Sequence, residues 1–105
     1  MWVSRTRLPT SRAKGGVISL TRALAVELAA TSIRVNAISP GYFATEMPAD
    51  LLASPRAADA LLRKIPQRRL GRPEEIGAAV LFLASPASSY MTGAVLNIDG
   101  GFTAQ

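Results

Sequence analysis

The chain has 105 residues, of which 49% are hydrophobic and 18% charged, with a formal net charge of +5; this bounds it to one domain at most, of ordinary globular composition. It contains no cysteine and no histidine, which excludes a disulfide framework, a thiol nucleophile and the usual metal ligands, so acid–base chemistry must come from Lys, Tyr or carboxylates and no metal site is expected. No apolar run approaches the roughly 20 residues that span a bilayer, and the Arg-containing N-terminus lacks the apolar stretch of a secretory signal, so a cytoplasmic setting without a membrane partner is expected.

Residues 1–10 show neither helical nor strand period and read as a poorly ordered segment; residues 11–105 carry the pattern of a fold. Ser11 is a helix cap, and the helix it starts should run to about Ala30. On a helical wheel Val17, Ile18, Leu20, Leu24, Ala25 and Leu28 form a broad apolar arc opposite Ser19, Arg22 and Glu27, wide enough to meet a second helix as well as a sheet. Gly15 and Gly16 each cost up to about 1 kcal/mol there relative to Ala, which suggests close packing at those positions.

Thr31-Ser32 then leads into Ile33–Ile38, whose near-continuous apolar run reads as a parallel strand covered on both faces. Pro40-Gly41 should stop it: proline brings no N–H to a ladder, and glycine admits a close approach by backbone or ligand. A loop at the carboxyl end of a parallel strand is where open α/β sheets bind ligands. Thr45 caps a short helix to about Leu52, and Ser54-Pro55 starts a second, Arg56–Ile65. Two short helices after such a loop suggest a lid, with Met47, Leu51, Leu52, Leu61, Leu62 and Ile65 either lining a pocket or packing on the domain.

The cluster Arg63, Lys64, Arg68, Arg69 and Arg72 has no interleaved aromatic residue to stack a base, so it reads as a solvated or subunit-facing loop and no nucleic-acid partner is expected. Pro73-Glu74-Glu75 starts the next helix, its carboxylates serving the helix dipole and cap. Ser85-Pro86 ends that helix. Ala94–Ile98 is a short strand closed by Asp99-Gly100-Gly101. Helix, strand, lid helices, helix and strand make the C-terminal half of a Rossmann-type, doubly wound α/β fold with a parallel sheet. So few strands leave apolar sheet uncovered, so part of the fold is expected to be missing.

From Ser11 onward the chain resembles the C-terminal part of a classical short-chain dehydrogenase/reductase. Ala13-Lys14-Gly15-Gly16-Val17 with Leu20–Leu28 resembles the helix of the catalytic lysine, and Ile33–Gly41 with Thr45 resembles the nicotinamide-side loop. Arg69–Ile76 and Thr92–Gly101 resemble the last helix and strand. The resemblance implies that Lys14 is catalytic, binding the nicotinamide ribose and lowering the pKa of a catalytic tyrosine. It further implies that Pro40, Gly41, Phe43 and Thr45 hold the nicotinamide of NAD or NADP for hydride transfer to or from a carbonyl or secondary-alcohol carbon. The partners implied are a small-molecule carbonyl or alcohol, and further subunits in a dimer or tetramer. Pro-Gly-Tyr-Phe-Ala-Thr-Glu-Met is similar to the order in sugar-acid (gluconate-type) dehydrogenases and 3-oxoacyl-carrier-protein reductases.

Departures from the pattern carry equal weight. The tyrosine expected four residues before Lys14 is replaced by Thr10, whose aliphatic hydroxyl lacks a phenol's low pKa and reach. The expected serine would precede Met1, and the 105 residues contain no Gly-rich phosphate turn. The expectation is a C-terminal remnant, separated by truncation or frameshift and inactive by itself. The alternative is a non-catalytic chain that keeps only the subunit-association surfaces.

Overall fold

The computed structural model describes residues 11–44 and 53–105, with the backbone alone for 11–14. The N-terminal segment, Thr10, Thr45 and the first lid helix lie outside the described residues. The chain divides into two compact units, one built from the described residues up to Ser39 with Ala78–Leu96, the other from Pro40–Gly77 with Asn97–Gln105.

The first unit begins with α1, Ser11–Leu28, which tightens into a 3-10 turn at Ala29–Thr31. Ser32 follows in the left-handed conformation, φ 67°, where a helix end favours glycine. The apolar arc of α1 is only partly buried. Among the helix's described side chains Thr21, not one of those apolar residues, and Ala25 are the fully buried ones, while Leu20 and Val26 stay exposed. Small side chains occupy the buried seam because a backbone arrives there: a Cβ on Gly93 would lie 3.4 Å from Ala25. Thr21 satisfies its own hydroxyl by donating to the Val17 carbonyl at 2.7 Å. Among the described residues nothing lies within 4 Å of a Cβ built on Gly15 or Gly16, so the close packing expected there is not found.

The strand β1 is Ala37–Pro40 rather than Ile33–Ile38. Side chains replace the ladder before it: Val35 N–H donates to Thr92 Oγ1 at 3.1 Å, and Asn36 accepts from Ala94 N–H at 3.0 Å and donates to Met91 C=O at 3.2 Å. Val35, Asn36, Ala37 and Ile38 are buried, but Ile33 is half exposed. Pro40 remains in the strand because its position lacks a ladder donor in any case. Ala37 N–H bonds Ala94 C=O and Gly41 N–H bonds Ile98 C=O, each at 2.9 Å, and successive residues alternate, so the ring nitrogen of Pro40 points away from the partner strand.

That partner, β2, is Val95–Ile98 and lies beside β1 in a two-stranded sheet; the two bonds just given advance together along both chains, which makes the pair parallel. Each strand passes from one unit into the other. In the second unit, α2 spans Pro55–Arg63 with Ser54 Oγ accepting from Ala57 N–H, the expected cap. Ile65 is buried with Phe43 in that unit. The helix α3, Pro73–Ala84, starts at the expected proline and acidic pair. At its C-terminal end, in the first unit, the Arg34 guanidinium donates to the carbonyls of Leu83 at 2.9 Å and Met91 at 3.3 Å. A cation at the carbonyl end of a helix is favoured by its dipole. No helix among the described residues is long and apolar enough to cross a membrane.

Candidate functional site

The segment Pro40–Ala44 leaves the carboxyl end of β1 and is held within the second unit on two sides. On one side Gly41 donates to Ile98 C=O at 2.9 Å. The backbones are so close that a Cβ on Gly41 would lie 2.7 Å from Asp99 Cβ and 2.8 Å from Asp99 Cα, so no larger residue fits without moving main chain. Asp99 is itself fixed, accepting from Gly101 N–H at 3.0 Å and from Thr103 Oγ1 at 2.7 Å.

On the other side Phe43 forms a parallel bridge with Gly71. Gly71 N–H donates to Tyr42 C=O at 2.9 Å and Ala44 N–H to Gly71 C=O at 3.4 Å. This pattern uses the groups flanking Phe43, so the N–H and C=O of Phe43 itself face the opposite direction. The Phe43 ring is buried directly over Gly71, where a Cβ would come within 2.2 Å of its Cε2. Tyr42 meets Phe102 edge to face at 5.7 Å between ring centroids.

Residues on both flanks of Gly71 are anchored by one carboxylate. Glu75 receives both arms of the Arg69 guanidinium, at 2.8 and 2.9 Å, and the Arg72 N–H at 2.9 Å. The hydrogen bond from Arg69, then that from the Arg72 backbone, lowers the Glu75 carboxyl from 4.5 to about 2. Arg69 is raised in turn by the same partner. A cavity of about 280 Å³ lies in this unit, lined by Tyr42, Phe43, Arg69, Gly71, Glu75 and Asp99 among others.

The structure thus brings Pro40, Gly41 and Phe43 together on one turn bonded on two sides. Lys14 lies in α1 of the first unit, with its side chain outside the described residues, as is the whole of Thr45. Gly71 and Glu75 are the residues that sequence reading missed as parts of this site. Leu70-Gly71-Arg72-Pro73 was legible only as the start of a helix, and the signal that Gly71 also braces the loop lies in Phe43, far away in sequence. Arg69, read as part of a solvated or subunit-facing basic loop, is exposed and is also one half of an ion pair with Glu75.

A parallel strand pair with helices and a proline-glycine loop at its carboxyl end is the arrangement of an open α/β sheet, the class of fold in which ligands bind at the carboxyl ends of strands. The family model described as enoyl-(acyl carrier protein) reductase matches residues 4–103, and the chain belongs to the short-chain dehydrogenase/reductase family. The match reaches beyond Ser11 and runs through Thr10. Galactitol 2-dehydrogenase (L-tagatose-forming) of Cereibacter sphaeroides is 54% identical over 90 residues, 86% of this chain and 35% of that protein. A 3-oxoacyl-[acyl-carrier-protein] reductase of Thermotoga maritima is 49% identical over 88 residues, 84% of this chain and 35% of the relative. Among solved structures, the RhlG/NADP active-site complex of Pseudomonas aeruginosa superposes with a TM-score of 0.83 at 40% identity, covering 95% of this chain and 39% of that one. Solved relatives carry NADP or NADH, so the family's cofactor is NAD(P). The chain spans little more than a third of the length of these relatives.

Proposed function

We propose that this chain forms the nicotinamide side of an NAD(P)-dependent oxidoreductase site that interconverts a carbonyl and a secondary alcohol, and that the 105 residues by themselves do not turn over. The observation that carries the reading is the doubly braced Gly41–Ala44 turn, whose Phe43 N–H and C=O face away from Gly71. A backbone donor and acceptor presented side by side match the oxygen and amino group of a carboxamide. Bound there, a nicotinamide supplies or accepts the hydride, and a carbonyl substrate takes up one proton for each hydride it receives. The chain's own part is positional: Gly41 lets the loop pack main chain to main chain against Asp99, and the Phe43 N–H and C=O orient the carboxamide; the family resemblance assigns a hydroxyl role to Thr45. Lys14 contributes the positive charge that binds a ribose hydroxyl and favours an ionised phenol. Thr10, in the slot of that phenol, cannot take its place at neutral pH. The relatives support a sugar alcohol, a sugar acid or a 3-oxoacyl thioester as the substrate class.

The test uses reduced nicotinamide mononucleotide, which needs no adenosine site. Its addition to the ¹⁵N-labelled chain should shift the amides of Gly41, Phe43 and Ala44, and Lys14→Ala should weaken the effect. Shifts scattered over both units, or none, would refute the loop assignment. A steady NAD(P)H-dependent rate with a ketose or a 3-oxoacyl thioester would refute inactivity of the isolated chain.

Self-association is the second reading. It rests on apolar side chains exposed in the first unit: Val26 at 80%, Leu81 at 72% and Tyr90 fully. Light scattering should report a dimer or tetramer that dissociates on dilution, and a concentration-independent monomer would remove this reading.

A further inference from the structure

Glu75 does more than cap its helix. With Pro73 in the first helical position, Arg72 is the cap residue, and the bond from Arg72 N–H to Glu75 Oε1 is the carboxylate half of a capping box, the arginine side chain having no acceptor for the other half. Capping needs only that bond. The same carboxylate also takes the full fork of Arg69, which lies before the helix and contributes nothing to its cap. The two anchored residues stand on either side of Leu70-Gly71, so one carboxylate fixes both flanks of the residue that braces the loop. Gly71 can then offer its N–H to Tyr42 and its C=O to Ala44 with its own backbone already set. The exposures fit this role: Glu75 is 29% exposed and Arg69 43%, an arrangement in which a bidentate fork adds geometric definition more than stability.

We propose that the Arg69–Glu75 pair is a positioning device for the nicotinamide loop, setting Tyr42–Ala44 through Gly71. The proposal rests on the reading of that loop given above. The arrangement ties the start of α3 to the cofactor side, so the pair governs how well the carboxamide is received without touching it.

Arg69→Met is the discriminating variant, because it leaves the Glu75 capping bond intact; Glu75→Gln is the second. Amide hydrogen exchange on the full chain is the first readout. Loss of the fork should speed exchange at Gly71 and Ala44 by about tenfold, the effect of losing one charge-assisted bond from a local opening equilibrium. Ala37 and Gly93, bonded within the other unit, should keep their rates. The second readout is the amide shift of Gly41–Ala44 with reduced nicotinamide mononucleotide, which should fall in Arg69→Met by a similar factor in affinity. Unchanged exchange at Gly71 and Ala44, uniform acceleration across both units, or equal mononucleotide affinity in variant and parent would each overturn the proposal. If the parent chain gives no mononucleotide shifts, the functional reading of the loop fails, and the exchange rates still decide whether the pair sets the loop.

Discussion

Replacing Gly71 by alanine adds a single methyl group and tests the bracing of the loop directly. Gly71 does not occupy the left-handed region, so alanine is acceptable to its backbone and any cost is steric. The new Cβ would lie 2.2 Å from Phe43 Cε2 and 2.6 Å from Cδ2 and Cζ, so either the ring must leave its buried place or the two chains must separate. Overpacking of this kind costs about 1–3 kcal/mol, and separation forfeits two backbone bonds at about 1 kcal/mol each. Gly71→Ala should therefore lower the unfolding free energy by about 3 kcal/mol, read from urea denaturation followed by circular dichroism. Phe43→Leu removes the ring atoms that collide and should cost about 1–2 kcal/mol by itself. In that background Gly71→Ala should cost less than about 1 kcal/mol, giving a coupling of about 2 kcal/mol in the double-mutant cycle. A single-variant cost within about 0.5 kcal/mol of zero, or the same cost in both backgrounds, would refute the bridge as the brace of the loop.

The Glu75 carboxyl, held at about 2 against an ordinary 4.5, stabilises the folded chain above the unfolded value, and this contribution disappears as pH falls from about 4.5 towards 2. Carbon-detected titration should place its midpoint near 2, and Glu75→Gln should flatten stability across that window; a midpoint near 4 would contradict the fork. Asn36→Ala leaves the Ala94 N–H without its acceptor in a buried site and should cost about 2 kcal/mol in urea. Asn36→Asp faces the Met91 carbonyl with a carboxylate at neutral pH, so its folded-state pKa should rise above the unfolded value of about 3.9, and the variant should regain stability as pH falls through that raised value towards about 4. Arg34→Ala should cost about 2 kcal/mol, and Arg34→Lys should recover only part, because a single ammonium cannot reach the Leu83 and Met91 carbonyls as a planar fork does; full recovery by lysine would count against the fork geometry.

Local chemistry was legible wherever it is enough to start or stop an element. Ser54-Pro55, Pro73-Glu74-Glu75 and Ser85-Pro86 are caps and first-position prolines whose effect is complete within four residues of chain, and α2, α3 and the turn after Ser85 begin there. The Pro40-Gly41 loop was legible for the same reason. What depended on contacts between distant residues was not. The beginning of β1 moved to Ala37 because Asn36 and Thr92 answer the backbone with side chains. The buried seam of α1 runs through Thr21 and Ala25 instead of Leu20 because the chain passes close by at Gly93.

The sequence by itself determined the family, the order of the described helices and strands and the loop at the carboxyl end of β1, since these follow from short motifs and from hydrophobic period. Tertiary structure alone decided that Gly71 lies under the Phe43 ring and that Arg69 and Arg72 share Glu75. Steric fit and hydrogen-bond direction between segments far apart in the chain leave no periodic trace in either segment, so that part of the site exists only once the chain has folded.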